Sequence, residues 1–204
     1  MAYETAIIRS AIDNTVRVAH PVTPTSPLTY LSASTAATDT AVTVLDNFNF
    51  AQNDFAIFGL LGADKTEIKK VNAAVTQGTA LTFTALTYSH AVDTQVVFSL
   101  WDQVEISGAA TATGAKTVIT TMNLQPDRAE TVYVNTGTTY AFYFARFKNS
   151  VTSAFSTYSD PSSATGVATS TIRAVKDSAL EMVSEKISPL ITDAFLNREI
   201  YNCE

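Results

Sequence analysis

The chain has 204 residues, of which 46% are hydrophobic and only 16% charged, and its formal net charge is -6. This length allows one large or two small domains whose core forms without disulfides or metals. The acidic balance, in which no basic run exceeds Lys69-Lys70, argues against a nucleic-acid groove. A surface so poor in charge suits permanent packing against other protein, although a secreted β-protein would have the same composition.

The single cysteine and the first residues of the chain argue against further classes of protein and of metal site. Cys203 is the single cysteine, which rules out an internal disulfide and a Cys-based zinc site. The opening MAYETAIIRSAID has no basic n-region, and nowhere do 18 apolar residues run together. We therefore expect no secretory leader, no membrane span and no cofactor.

Residues 1–27 are predicted to form an N-terminal arm. Residues 3–18 favour one or two helical turns followed by extended chain. Pro21, Pro24 and Pro27 then remove amide donors and favour an extended segment. Such an arm lies on a neighbour or simply leads into the fold.

Residues 28–106 are predicted to form a first β module, a small barrel or sandwich. Apolar and polar residues alternate with the period of two that is typical of strands. In residues 95–101 both faces are apolar, which predicts a core strand. The predicted strands cover residues 41–45, 54–61, 67–75, 79–86 and 95–106.

Residues 107–166 are predicted to form a second β module. The stretch SGAATATGAK, residues 107–116, is interpreted as the boundary between the modules. Residues 138–147 carry aromatic side chains on both faces, which predicts the central strand of a second sheet. Residues 116–122 and 131–134 are predicted to be further strands of this module.

Residues 167–204 change to a helical period and are predicted to form two amphipathic helices, the second beginning at Ser188-Pro189. Helices this short bury little alone, so their apolar stripe is expected to dock on the β domains, on a continuation of the chain or on another subunit, and the last two are favoured. The predicted interface residues are Ile172, Val175, Val183, Ile187, Ile191 and Phe195.

Candidate chemical sites are weak in this sequence. His20 and His90 are the only imidazole bases, and His90 lies beside Asp93 in what reads as a hairpin turn. The chain has no G-x-S-x-G, P-loop, Rossmann or H-E-x-x-H motif. We therefore expect no enzymatic activity and no catalytic residue, with a hydrolase built on His90 as a minor alternative.

Three other groups have both a ligand-binding and a structural interpretation. The segment DNFNFAQND, residues 46–54, offers oxygen ligands for calcium, but its Asn and Asp residues more often stabilise turns. Glu67 with its neighbouring lysines is interpreted as a solvated strand edge. Aromatic residues at 101 and 142–144 fit a core better than a sugar-stacking platform. No metal site is predicted.

Three stretches of the chain carry a family resemblance. Residues 66–71, 78–82 and 86–90, with Val96 and residues 104–106, resemble a small β module recurrent in structural proteins of tailed-bacteriophage virions. Residues 138–147, with Asn149 and residues 158–161, resemble the later strands of a fibronectin type III or similar immunoglobulin-like sandwich. About 60 residues is short for a complete sandwich, so missing or shortened strands are expected.

The third stretch, residues 191–200, is similar to the start of a helical segment in phage proteins near the head-tail junction. The resemblance implies a non-enzymatic virion protein, at the neck or collar, that forms a ring of identical copies. Its partners would be portal or adaptor, capsid or tail proteins, without nucleic acid or membrane. A capsid decoration or fibre-base protein that binds host surface or glycan is the alternative. The expected fold is mainly β: two modules in tandem between an arm and a helical pair.

Overall fold

A computed structural model describes residues 5–22 and 26–164, which belong to one compact unit, Met1–Ala164. The second unit, Thr165–Glu204, lies outside the described residues, and so do the predicted helical pair and its six interface residues. The described part is built from antiparallel sheets, which confirms the mainly β class. Its only helical element is a 3₁₀ turn at Ile12–Asn14, so none of its helices could cross a membrane.

The strands of the described residues run in chain order as follows: β1 (Ile8–Ser10), β2 (Thr15–Val18), β3 (Leu28–Tyr30), β4 (Ala41–Val42), β5 (Phe55–Phe58), β6 (Glu67–Lys70), β7 (Leu81–Thr82), β8 (Gln95–Ser99), β9 (Gln103–Ala109), β10 (Thr117–Asn123), β11 (Thr131–Val134), β12 (Phe142–Lys148) and β13 (Ser162–Ser163).

Strands β3 to β8 close into a small barrel. Four of them form a sheet in the order β3-β8-β5-β6, and β4 pairs with β7. The two sheets are joined on both sides, because the Ser32 amide donates to the Thr43 carbonyl at 3.0 Å and the Asn72 amide to the Thr82 carbonyl at 2.7 Å. Antiparallel bridges between Leu31 and Val44 and between residues 71 and 83 continue the same ladders. Closure removes the free strand edges that an open sheet would expose.

The barrel has its own hydrophobic core, because alternate residues of each strand point inward. At its centre Phe58 is fully buried, with its ring 5.1 Å from that of Phe83 in an edge-to-face arrangement. Strand β8 is covered on both faces, as its sequence predicted, since Val96 and Val97 are both buried. The core residues are Leu31, Val42, Phe50, Ala56, Phe58, Val71, Leu81, Phe83, Leu86, Val96 and Phe98.

The remaining strands form two sheets packed face to face. One sheet has the order β1-β2-β11 and the other β10-β9-β12-β13. A single hydrophobic cluster draws on both, with Val16 and Val18 from β2 opposite Ile106 from β9 and Tyr143 from β12. Strand β12 pairs with β9 and with β13, which confirms its predicted central position. Trp101 is 1% exposed in the same cluster.

The two modules are nested in the chain, because the barrel is inserted between β2 and β9. Residues 5–22, predicted to be a separate arm, lie within the sandwich, where β2 pairs with β11 in the register Thr131 to Val18. The boundary predicted at 106/107 falls inside β9. Val16 and Val18 are fully buried, so they need the cover that the second sheet supplies. Local periodicity shows that a strand exists but not which distant strand pairs with it.

Gly108 is required by the packing of Tyr140. This glycine lies in β9, and a Cβ atom added to it would overlap the Tyr140 ring. Gly108→Ala is therefore expected to lower the free energy of unfolding by about 1 to 3 kcal/mol, measured by chemical denaturation. Gly137→Ala is the matched control, because its added methyl meets only the Asn135 Oδ1 at 3.6 Å. Equal losses for the two variants would contradict the steric explanation.

Candidate interaction surface

The most enclosed polar cluster of the described residues centres on Glu67 in β6. Its side chain is 7% exposed and accepts hydrogen bonds from His90 Nε2 at 2.9 Å and Lys69 Nζ at 3.0 Å. The backbone amides of Thr87 and Tyr88 donate to the same carboxylate at 2.8 and 3.2 Å. The interpretation of Glu67 as a solvated strand edge was wrong, because its carboxylate points into the protein and fixes the loop after β7.

The electrostatics of this cluster favour a structural role. Burial on its own raises the pKa of Glu67, but hydrogen bonds from His90, Lys69 and the two amides outweigh burial and lower the pKa below its ordinary value. A carboxylate only accepts, so His90 Nε2 carries the proton. The imidazole also stacks on the Phe58 ring at 5.6 Å. His90 is thus bonded to a carboxylate instead of activating a hydroxyl nucleophile through Nε2.

A cleft of about 430 Å³ opens beside β6. Its walls carry the cations Lys69 and Lys70 together with the carboxylates Glu67, Asp102 and Asp127. Because the walls carry both positive and negative side chains, the cleft favours neither an anionic nor a cationic ligand. Within residues 5–22 and 26–164, no group of three His, Cys, Asp or Glu side chains is placed to hold a metal ion.

His20, the other histidine, follows β2 and forms a hydrogen bond with the loop that precedes β11. Its Nε2 lies 2.8 Å from the Arg128 carbonyl oxygen, so Nε2 is the donor. Nδ1 is buried and receives no hydrogen bond from the described residues. Burial lowers the pKa of His20, against smaller opposing effects from the Arg128 carbonyl and nearby carboxylates. The ring is therefore held neutral in a packing position.

Two aspartates of the segment 46–54 stabilise turns, and Asn47 anchors the segment. Asp46 Oδ1 accepts from the Phe48 amide at 2.8 Å, and Asp54 Oδ2 accepts from the Ala51 amide at 2.7 Å. Asn47 is 3% exposed, and its Nδ2 donates to two carbonyls of the loop after β6, those of Thr76 and Thr79, at 2.9 Å each. The bonds of Asp46 and Asp54 confirm the turn interpretation for these two residues, whereas Asn47 anchors the segment to a distant loop.

Beside this loop lie four exposed apolar residues, which we name the β3 surface and define as Leu28, Tyr30, Leu45 and Phe48. Phe48 is 72% exposed and Leu45 67% exposed, whereas most large apolar side chains of the barrel are buried. Leu28 and Tyr30 share the outer face of β3, since they alternate with the buried Thr29. The Leu45 amide donates to the Tyr30 carbonyl at 2.9 Å, which places the two loop residues alongside the strand.

The β3 surface is presented by an ordered frame. The Asp46 amide is fixed to Thr29 Oγ1 at 3.0 Å, and the next residue, Asn47, is anchored inside the protein. Phe48 follows directly on this anchor. A backbone held in this way loses little further freedom on binding, so less of the energy of burying these side chains is spent on ordering the loop. Chemically, the surface can bury apolar area against another protein, but it offers no reactive group.

The predicted and observed candidate residues are different sets. The six predicted interface residues, from Ile172 to Phe195, lie outside the described residues, and their docking role stays a prediction. The β3 surface was not predicted from the sequence. The available signal was the pair of phenylalanines in DNFNF, of which Phe50 is buried and Phe48 exposed. Trp101 and Phe144 are buried, as predicted for core residues.

No family model, curated protein or solved structure matches the chain.

Proposed function

We propose that this chain is a non-enzymatic structural protein of a tailed-phage virion, most specifically a neck or collar component at the head-tail junction. The observation that carries the structural role is the β3 surface, four exposed apolar side chains on a frame anchored by Asn47. The two histidines, the most plausible catalytic bases, are both bound in packing positions. A charged fraction of 16% also suits a protein that stays in contact with others.

The arrangement of strands supports the immunoglobulin-like part of this proposal. The sandwich places its first, second and fifth strands in one sheet and its fourth, third, sixth and seventh strands in the other. Two antiparallel sheets with seven strands are the architecture of immunoglobulin-like and fibronectin type III modules. The strands expected to be missing from residues 107–166 are β1 and β2, which precede the inserted barrel, together with the first part of β9. Such modules serve as rigid spacers in many assemblies, so the fold alone does not specify the location.

In this proposal two surfaces have separate partners. The β3 surface binds a neighbouring virion protein, whereas the predicted apolar stripe of residues 172–195 binds other copies in a ring. Each large apolar side chain that becomes fully buried contributes about 1.5 to 3 kcal/mol. Two such side chains per contact are worth roughly 3 to 6 kcal/mol, which is a factor of about 100 to 10,000 in affinity.

The ring is tested by Val183→Asp/Ile187→Asp in the full chain. Light scattering is expected to find a defined oligomer for the unaltered chain and loss of that oligomer for the variant, while circular dichroism shows the same β content. Val92→Asp/Val151→Asp is the matched control, because both residues are exposed on the described unit. A ring with an unchanged number of subunits in the first variant would contradict docking through the stripe, whereas a dimer would not.

The location is tested on virions of the phage that encodes this chain. Gold-labelled antibodies against the chain are expected to mark the junction of head and tail in electron micrographs. Labelling spread over the capsid, or confined to the fibre base, would replace the neck assignment with the alternative one.

The alternative, a decoration or fibre-base protein that binds glycans, is favoured by one observation. Tyr30, Phe48 and Tyr88 are aromatic residues that are 41%, 72% and 39% exposed, and exposed rings can stack on sugars. A glycan array with the full chain separates the two functions. Binding that disappears in Phe48→Ser would support the alternative, whereas a neck protein is expected to bind no glycan.

A further inference from the structure

Strand β10 lies at the margin of the four-stranded sheet and, among the described residues, pairs with β9 alone. It has seven residues, as many as the central strands β9 and β12, yet none of them is fully buried. Val118 is 51% exposed, and Thr121 and Asn123 are also exposed. The outer backbone amides and carbonyls of β10 therefore face no other strand of the described part.

The other margins of the sandwich are protected against pairing, whereas β10 is not. Strand β13 has two residues, β1 has three and includes Arg9, and β11 has four. Proteins commonly protect sheet edges by such shortness and charge. The β10 sequence TVITTMN has no charge and no proline, and five of its seven residues are β-branched. Its one irregularity lies between Val118 and Thr120, which leaves residues 120–123 in regular register.

We propose that β10 pairs antiparallel with β10 of a second copy of this chain. Unpaired backbone groups along an extended strand are matched best by another extended strand. The strand has no charged side chain with which to select a charged peptide, so a neutral, β-branched partner fits it, and an identical strand has these properties. Antiparallel pairing of identical strands generates two-fold symmetry, the commonest symmetry of oligomers, and places no like charges opposite one another.

The geometry of this pairing follows from the faces of the strand. Thr121 and Asn123 lie opposite Glu105 and Gln103 of β9, so they share the outer face of the sheet. A two-fold axis perpendicular to the sheet keeps this face continuous across the two copies. Residues on this face of one β10 then lie opposite residues of the same face in the other. The pairing joins two four-stranded sheets into one. It does not depend on the proposal that the chain is a virion protein.

Sedimentation velocity of the full chain over a range of concentrations tests the pairing. The background for every sample is Val183→Asp/Ile187→Asp, which removes the predicted stripe. We expect this protein to form dimers and Thr121→Lys/Asn123→Lys to weaken them at least about tenfold, because lysines then oppose lysines. Val134→Lys/Thr136→Lys is the matched control, since it adds the same charge at exposed positions at the end of β11 and just beyond it.

Cross-linking provides a second measurement that does not rely on loss of association. In a Cys203→Ser background, Thr121→Cys or Asn123→Cys is expected to form intermolecular disulfides on mild oxidation, since Cβ atoms of opposing residues approach closely. Val134→Cys is expected to cross-link far more slowly. A protein that stays monomeric at every concentration, lysine variants that dimerise like the background, or equal cross-linking at residue 134 would each overturn the proposal.

Discussion

Glu67→Ala is expected to lower the free energy of unfolding by about 3 to 5 kcal/mol, the range seen when one partner of a buried ion pair is removed. The change leaves the Lys69 ammonium, 14% exposed, without its carboxylate. It also leaves the His90 imidazole and the amides of Thr87 and Tyr88 without their acceptor in the interior. Chemical denaturation followed by circular dichroism measures the loss.

The control for Glu67→Ala is Glu130→Ala. Glu130 pairs with Arg9 at 3.2 Å and with Arg17 at 3.9 Å, but both arginine side chains are at least half exposed. Surface ion pairs of this kind contribute about 0 to 1 kcal/mol. A loss at Glu67 no larger than the loss at Glu130 would show that the buried cluster does not hold the barrel loop in place.

Glu67→Ala also changes how the stability of the protein depends on pH. The pKa of Glu67 is lowered in the folded protein, so the ionised carboxylate contributes stability that is fully present above its unfolded pKa and is lost as the pH falls through the folded one. The unaltered chain should therefore lose stability more steeply than Glu67→Ala as the pH falls below about 4.5. Parallel curves in this acid range would contradict the ionised state of Glu67.

Trp101→Ala is expected to destabilise the sandwich by about 3 to 5 kcal/mol, because truncation of a large buried aromatic residue leaves a cavity. Trp101 is 1% exposed and packs in one cluster with Val104, Tyr143 and Phe147. The preceding chain is held by Ser99, whose hydroxyl donates to the Trp101 carbonyl at 2.8 Å. Thermal and chemical unfolding followed by far-ultraviolet circular dichroism measures the change.

Trp101→Phe is the control, because it keeps an aromatic ring in the site and leaves a smaller cavity. Its loss should be well below that of Trp101→Ala. Leu100 packs against the cores of both modules, so the two are expected to unfold in one transition. Two separate transitions in Trp101→Ala, with the barrel unchanged, would show that the cores are independent.

The existence of a strand could be predicted where the residues of the strand itself show the pattern. The pairing of two strands far apart in the sequence could not be predicted. The two apolar faces of β8 and β12 are local signals, and both strands are present. The pairing of β2 with β11 joins Val18 to Thr131, and no local pattern specifies such a partner. As a result, the sequence predicted modules in succession where the structure has one inserted into the other.

The roles of polar residues could also be predicted only where their partners are close in the sequence. Asp46 and Asp54 bond to amides two or three residues away, so their turn role could be predicted. Glu67 accepts hydrogen bonds from residues 20 to 23 positions away, at residues 87 to 90. The lysines next to Glu67 in the sequence gave no indication of these distant partners. Exposure of Phe48 and burial of Phe50 depend on the direction of a single turn, which composition does not determine.

The insertion of the barrel between β2 and β9 has a consequence for synthesis on the ribosome. Thr131 is translated 113 residues after its pairing partner Val18, an interval of roughly 6 to 23 s at typical elongation rates. The barrel can fold in that time, while the apolar residues of the first two strands have no partner sheet. A nascent chain that stalls in this interval exposes those residues, and binding by chaperones is expected to concentrate there.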